Sequence, residues 1–175
     1  GEMLTFRRLL SETKNARQRQ ALLAGKVEDM INTVVRQIAF YSFERAIHTE
    51  RKNGELTAER IGEIWLSVQG ESLGPAIDIR PGYENFWMYI PHFIHSPFYV
   101  YAYAFGDCLV NSLYAVYENA ADGFAERYLA MLAAGGTRHY SELLKPFGLD
   151  AKDPKFWDGG LSVISGMIDE LEAMG

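Results

Sequence analysis

Between residues 16 and 52 the apolar side chains Leu22, Leu23, Val27, Met30, Ile31, Val34, Val35, Ile38, Phe40 and Phe43 recur at helical spacing. A strand alternates with a period of about two, whereas this pattern keeps a period of about 3.6 for longer than an average helix. The stretch therefore predicts one long helix, straight or kinked, with a face turned to a core. Asn53-Gly54 supplies its C-terminal stop.

The rest of the chain reads the same way. Residues 2–14 carry Phe6, Leu9 and Leu10 as one apolar stripe. Thr57 caps a helix with Glu59 in its first turn and Ile61, Ile64, Trp65 and Val68 inward, closed by Gly70 and Gly74-Pro75. Pro75, Pro81, Pro91 and Pro97 make residues 75–97 the longest irregular stretch. Ser96-Pro97 has the form of an N-cap and first helical residue, so the next helix is expected over 98–119. Asp122 is expected to cap 123–134, Ser141 to start 142–147, and Asp153-Pro154 to open the last helix, which ends near Met174. The expectation is an all-α protein of about six or seven helices forming a single domain over 1–175.

Composition narrows the function classes. At 175 residues with 48% apolar content, the chain is long enough for one well-buried core. No apolar run approaches the roughly 18 residues of a membrane span; the richest stretch, 98–116, is broken by Gly106, Asp107, Asn111 and Ser112. A net charge of −6 argues against a nucleic-acid partner. Cys108 is the one cysteine, which excludes an internal disulfide and fits a reducing compartment. No cleavable leader is visible at Gly1.

Residues 92–106 concentrate the chemistry. His92, His95, Tyr99, Tyr101 and Tyr103 all fall there, out of four histidines and ten tyrosines in the chain. Imidazole and phenol are polar hydrogen-bonding groups on an apolar body, suited to holding a polar atom in a half-dry cleft. On a helix starting at Pro97, His95, Tyr99 and Tyr103 fall near one line while Tyr101 points roughly opposite. Aromatics then face every side, which predicts a helix buried nearly all round, and tyrosines at this spacing are usually core residues with a satisfied hydroxyl. His92 and His95 alone are too few to hold a metal, and no Cys, Asp or Glu lies between residues 86 and 106 to complete a site. Glu44, within Phe40-Tyr-Ser-Phe-Glu44, is either a buried acid or the solvated edge of an amphipathic face beside Arg45 and His48, and a structural role is favoured.

Ile90-Pro-His-Phe-Ile-His-Ser-Pro-Phe-Tyr-Val-Tyr-Ala-Tyr-Ala resembles the substrate-binding signature of the oligoendopeptidase F family, zinc metallopeptidases related to thimet oligopeptidase. Weaker matches at Gly1-Glu-Met-Leu-Thr-Phe, Arg36-Gln-Ile-Ala-Phe-Tyr-Ser-Phe-Glu44, Glu55-Leu-Thr and Ile64-Trp-Leu extend the resemblance over essentially the whole chain. It implies the C-terminal helical lobe of a zincin-type catalytic domain acting on short peptides in the cytoplasm. The family's His-Glu-x-x-His is absent from residues 1–175. Zinc thus belongs to the parent enzyme, this segment binds none, and alone it is expected to be inactive. By the same resemblance His95, Tyr99 and Tyr103 stabilise the oxyanion and transition state, and His92 and Tyr101 bind substrate. The partner expected is a peptide, with self-association through surface bared by truncation. A non-catalytic helical module binding a peptide or ligand is the alternative, and a self-associating helical scaffold is a third class.

Overall fold

The computed structural model describes residues 1–119 and 122–175. Among these, nine α-helices and two 3-10 segments account for the regular structure, and no strand is present. The helices are α1 (Glu2–Glu12), α2 (Ala16–Thr33), α3 (Val35–Arg51), α4 (Ala58–Leu73), α5 (His92–His95), α6 (Tyr101–Asn119), α7 (Phe124–Ala134), α8 (Tyr140–Leu144) and α9 (Pro154–Glu172). The 3-10 segments are Tyr83–Tyr89 and Lys145–Phe147. The all-α expectation holds. No helix of the described residues is long and apolar enough to cross a membrane.

Several boundaries differ from the sequence reading. The long helix expected over 16–52 is two helices, α2 and α3, divided at Val34 with φ −102 and ψ −68. Thr33, Val34 and Val35 are three consecutive β-branched residues, whose stiff side chains crowd the preceding turn and weaken the helix there. Gly70 is passed without a break, and α4 ends at Gly74 with φ 67. Gly123, with φ 66, takes the N-cap expected of Asp122. His139 caps α8 in place of Ser141: its ring accepts the Ser141 N–H at 3.4 Å and lies 2.7 Å from the Ser141 hydroxyl. Two expected caps are formed as read, Thr57 accepting from Arg60 N at 3.2 Å and Asp153 from Lys155 N at 3.0 Å.

The described residues divide into two compact units, 1–30 with 106–175, and 31–105. In the first, Arg7 of α1 and Arg19 of α2 both pair with Glu170 of α9, at 3.2 and 2.6 Å. Helices α6 and α9 meet at Gly160, where an added Cβ would lie 2.9 Å from the Cys108 carbonyl oxygen. No side chain larger than hydrogen fits there without movement.

The unit 31–105 is built on an aromatic core. Phe40 and Phe43 of α3 meet Trp65 of α4, stacked at 5.6 Å and edge-on at 5.1 Å between ring centroids. Ile64, Ile90 and Val100 complete the buried cluster. Each such side chain contributes about 1.5–3 kcal/mol on burial. The 3-10 segment Tyr83–Tyr89 lies against α4 at Gly62, where an added Cβ would come within 3.2 Å of Glu84. That contact leads the chain across the core and delivers it to α5.

Candidate functional site

The short helix α5 is oriented by Phe93. Its ring lies 5.9 Å from Phe40, 5.1 Å from Phe43 and 6.5 Å from Trp65, so it acts as the plug that closes the aromatic core. With Phe93 inward, its neighbours His92 and Ile94 turn away; His92 is half-buried and Ile94 exposed. Helix α5 then ends, Ser96 N donating to His92 O at 2.9 Å, and residues 96–100 turn the chain into α6.

That turn is strained. Phe98 has φ 59, the one positive φ of a non-glycine residue among those described. For a bulky side chain this left-handed conformation costs on the order of 1–3 kcal/mol and persists only where surroundings over-determine it. Here they do. The Phe98 N–H donates to Glu44 Oε1 at 2.7 Å, and Glu44 is fully buried on α3. The Phe98 ring lies 4.8 Å from the His48 ring, one helical turn further along α3. Glu44 is therefore the buried acid, and the solvated-edge reading is excluded.

Two residues after Phe98, Val100 is fully buried in the core while Tyr99 and Tyr101 on either side are half exposed. Helix α6 begins at Tyr101 instead of Pro97, because the left-handed Phe98 cannot sit within a right-handed helix. The helical projection from Pro97 thus fails for residues before 101. The expectation of an all-round buried helix is corrected as well: Tyr99, Tyr101 and Tyr103 are 50%, 53% and 39% exposed.

Three of the five candidate side chains come together. The His92 and Tyr99 rings lie parallel, 6.0 Å apart with 5° between planes. Tyr103 stands edge-on to both, at 5.8 Å from His92 and 5.5 Å from Tyr99. His92 Nε2 and Tyr103 Oη are 3.2 Å apart. Where Nε2 carries its proton, it donates to the phenol oxygen and leaves the hydroxyl hydrogen free to rotate toward a ligand. The arrangement is a half-exposed imidazole–phenol pair with a second phenol beside it.

His95 and Tyr101 stand apart from this group. His95 is exposed at the end of α5, with no hydrogen bond or ring contact to the tyrosines. Tyr101 meets the ring of Tyr41 edge-on at 6.1 Å. No group of three His, Cys, Asp or Glu side chains able to hold a metal is present among the described residues. Cys108 is buried, and desolvation, with the nearby Asp107 carboxylate, pushes its thiol up to about 11, which suits a core residue and not a nucleophile.

Sequence patterns carried the His and Tyr residues but gave no sign that Phe98 would adopt a left-handed conformation or that Glu44 would meet its peptide. The carboxylate set among aromatics at 40–44 was the one available signal.

The model of a known protein family, peptidase family M3, matches residues 1–162. The chain belongs to peptidase family M3. Among its relatives, the oligopeptidase PepF of Bacillus subtilis is 30% identical over 99% of this chain and 26% of its own length. The plasmid-encoded oligoendopeptidase F of Lactococcus lactis subsp. cremoris is 29% identical over 95% of this chain and 28% of its own. The crystal structure of oligoendopeptidase-F from Enterococcus faecium superposes with a TM-score of 0.87 at 29% identity, over 97% of this chain and 32% of that one. This M3 chain thus spans between a quarter and a third of the length of these relatives.

Proposed function

We propose that residues 1–175 are the helical C-terminal part of the catalytic domain of a cytoplasmic M3 oligoendopeptidase that hydrolyses short peptides. In this reading His92, Tyr99 and Tyr103 form a hydrogen-bonding face for the scissile peptide, and His95 and Tyr101 bind the substrate chain at its margins. Zinc would be held by residues outside 1–175, where it would polarise the scissile carbonyl and activate water.

The observation that carries the reading is the 3.2 Å approach of His92 Nε2 to Tyr103 Oη at a half-exposed position. A core tyrosine has its hydroxyl satisfied and covered; this one is accessible and backed by an imidazole. With Nε2–H donating to the phenol oxygen, the hydroxyl is polarised and can donate to a carbonyl oxygen as negative charge develops on it. Tyr99, parallel to His92, offers a second phenol beside the first. Such donors act mainly in the transition state, each contributing about 3 kcal/mol. Separated from the remainder of the peptidase, the segment would be inactive, and exposed Phe86, Met88, Tyr89 and Ile94 would favour self-association.

The test uses the full-length protein and short fluorogenic peptides. Replacing Tyr103 by Phe is expected to lower kcat about a hundredfold with KM little changed and fold and zinc content intact. Tyr99→Phe is expected to fall in the same direction, and Tyr101→Phe, whose ring sits on Tyr41, far less. Wild-type turnover in the Tyr99 and Tyr103 variants alike would reduce the cluster to packing and favour a binding module.

A further inference from the structure

We infer that Glu44 is a positioning residue: its buried carboxylate holds the Phe98 peptide in the left-handed conformation that sets Tyr99 beside His92 and Tyr103. The inference rests on the proposed role of that cluster, and adds to it the device that assembles it.

Three observations meet here. Glu44 is fully buried on α3, yet no ion pair to it is formed among the described residues, and its Oε2 has no hydrogen-bond partner there. An acid kept in this state is poor value for stability alone, because an apolar side chain of the same size would fill the site as well. The one hydrogen bond its carboxylate accepts, at Oε1, comes from the N–H of the one non-glycine residue with positive φ among those described. Finally, α3 holds Phe98 a second time, through the ring contact with His48.

The consequence falls on the next residue. Tyr99 follows Phe98 directly, and its orientation depends on the dihedrals of the peptide that Glu44 holds. On the far side, Val100 is locked in the core. Tyr99 is therefore suspended between a hydrogen-bonded strained residue and a buried anchor. Without the acceptor at residue 44, Phe98 would relax to negative φ, the Phe98–Tyr99 peptide would turn, and the parallel His92–Tyr99 arrangement would open. Glu44 itself touches no substrate.

The experiment compares variants in the full-length protein. Glu44→Met keeps the volume of the side chain and removes the acceptor. It should fold and retain zinc, yet lose about 10- to 100-fold in kcat with a much smaller change in KM, as misplacement of a donor by about 1 Å does. Glu44→Gln keeps a carbonyl acceptor and should stay close to wild type. Glycine adopts positive φ without an anchor, so adding Phe98→Gly to Glu44→Met should restore kcat to within about threefold of Phe98→Gly alone. A side chain with a purely packing role would show no such rescue. Glu44→Asp, which withdraws the acceptor by one carbon, serves if the Met variant does not fold, with the same loss and rescue expected. Wild-type kcat in whichever variant folds, absence of rescue, or failure of both to fold would each overturn the inference. Tyr99→Phe and Tyr103→Phe in the same assay separate the two levels. If they lose turnover and Glu44→Met does not, the positioning role fails while the site stands. If they turn over normally, the site itself fails.

Discussion

His92 Nε2 and Tyr103 Oη lie 3.2 Å apart although the residues are 11 positions apart in the chain. Each comes from a different helix, α5 and α6, and each has a packed neighbour, the partly buried Phe93 on the aromatic core and the buried Ala104 of α6. A pair fixed in this way should act as a unit. Either group without the other loses most of what the two contribute together.

That gives a double-mutant cycle in the full-length protein. Tyr103→Phe and His92→Ala are each expected to lower kcat about a hundredfold, and the double variant by little more than the worse single. Measured kcat values establish the coupling. Losses that multiply, to about ten-thousandfold, would make the two groups independent and remove the argument that the imidazole polarises the phenol.

The sequence made the helical class legible because apolar periodicity is a direct consequence of helix geometry, as at Leu23, Val27 and Met30. It made His92, Tyr99 and Tyr103 legible as residue types. It did not reveal which histidine joins the tyrosines, since that depends on where α6 begins. Ser96-Pro97 is a good local helix start, but the tertiary hydrogen bond from Phe98 to Glu44 overrides it. Contacts 54 residues apart leave no periodic trace. The break at Val34 had a local signal in three β-branched residues, weaker than the apolar pattern running across it.

The isolated segment 1–175 is expected to hold no stoichiometric zinc and to cleave no peptide. Its described residues include no group of three potential ligands, and affinity for a structural or catalytic zinc depends on three or four. Elemental analysis after purification in metal-free buffer and dialysis checks this, alongside a peptide-cleavage assay. One zinc per chain retained through dialysis would locate a metal site within residues 1–175.

Two glycines of α9 should respond in opposite directions to the same change. At Gly160 a Cβ would lie 2.9 Å from Cys108 O and 3.0 Å from its Cα, so the backbones of α6 and α9 must separate. Gly160→Ala is expected to destabilise by about 1–3 kcal/mol through overpacking. At Gly166 nothing lies within 4 Å of the added atom. Gly166→Ala should stabilise by about 0.5–1 kcal/mol, since alanine loses less backbone freedom in a helix. Urea midpoints at constant m-value compare the two. Equal effects at both positions would remove the claim that α6 and α9 touch at Gly160.

Asp107 supplies a pH dependence. Burial is the main influence and pushes its carboxyl above the ordinary aspartate range, against the pull of Lys26 and the hydrogen bond from Asn111 Nδ2 at 2.9 Å. A carboxyl whose pKa is raised in the folded state binds its proton more tightly there than in the unfolded chain. The associated stability is fully present below the unfolded value and is lost as pH rises through the folded one. At neutral pH the ionised group therefore weakens the fold. Asp107→Asn keeps an acceptor for Asn111 and removes the charge, so it should raise the urea midpoint at pH 7. The gain over wild type should shrink as pH falls through the carboxylate range, because the wild-type side chain then becomes neutral too. Taking the difference between variant and wild type at each pH cancels the titration of the other acids. A gain that stayed constant down to pH 3, or a loss at pH 7, would show that the Lys26 and Asn111 interactions outweigh burial at this position.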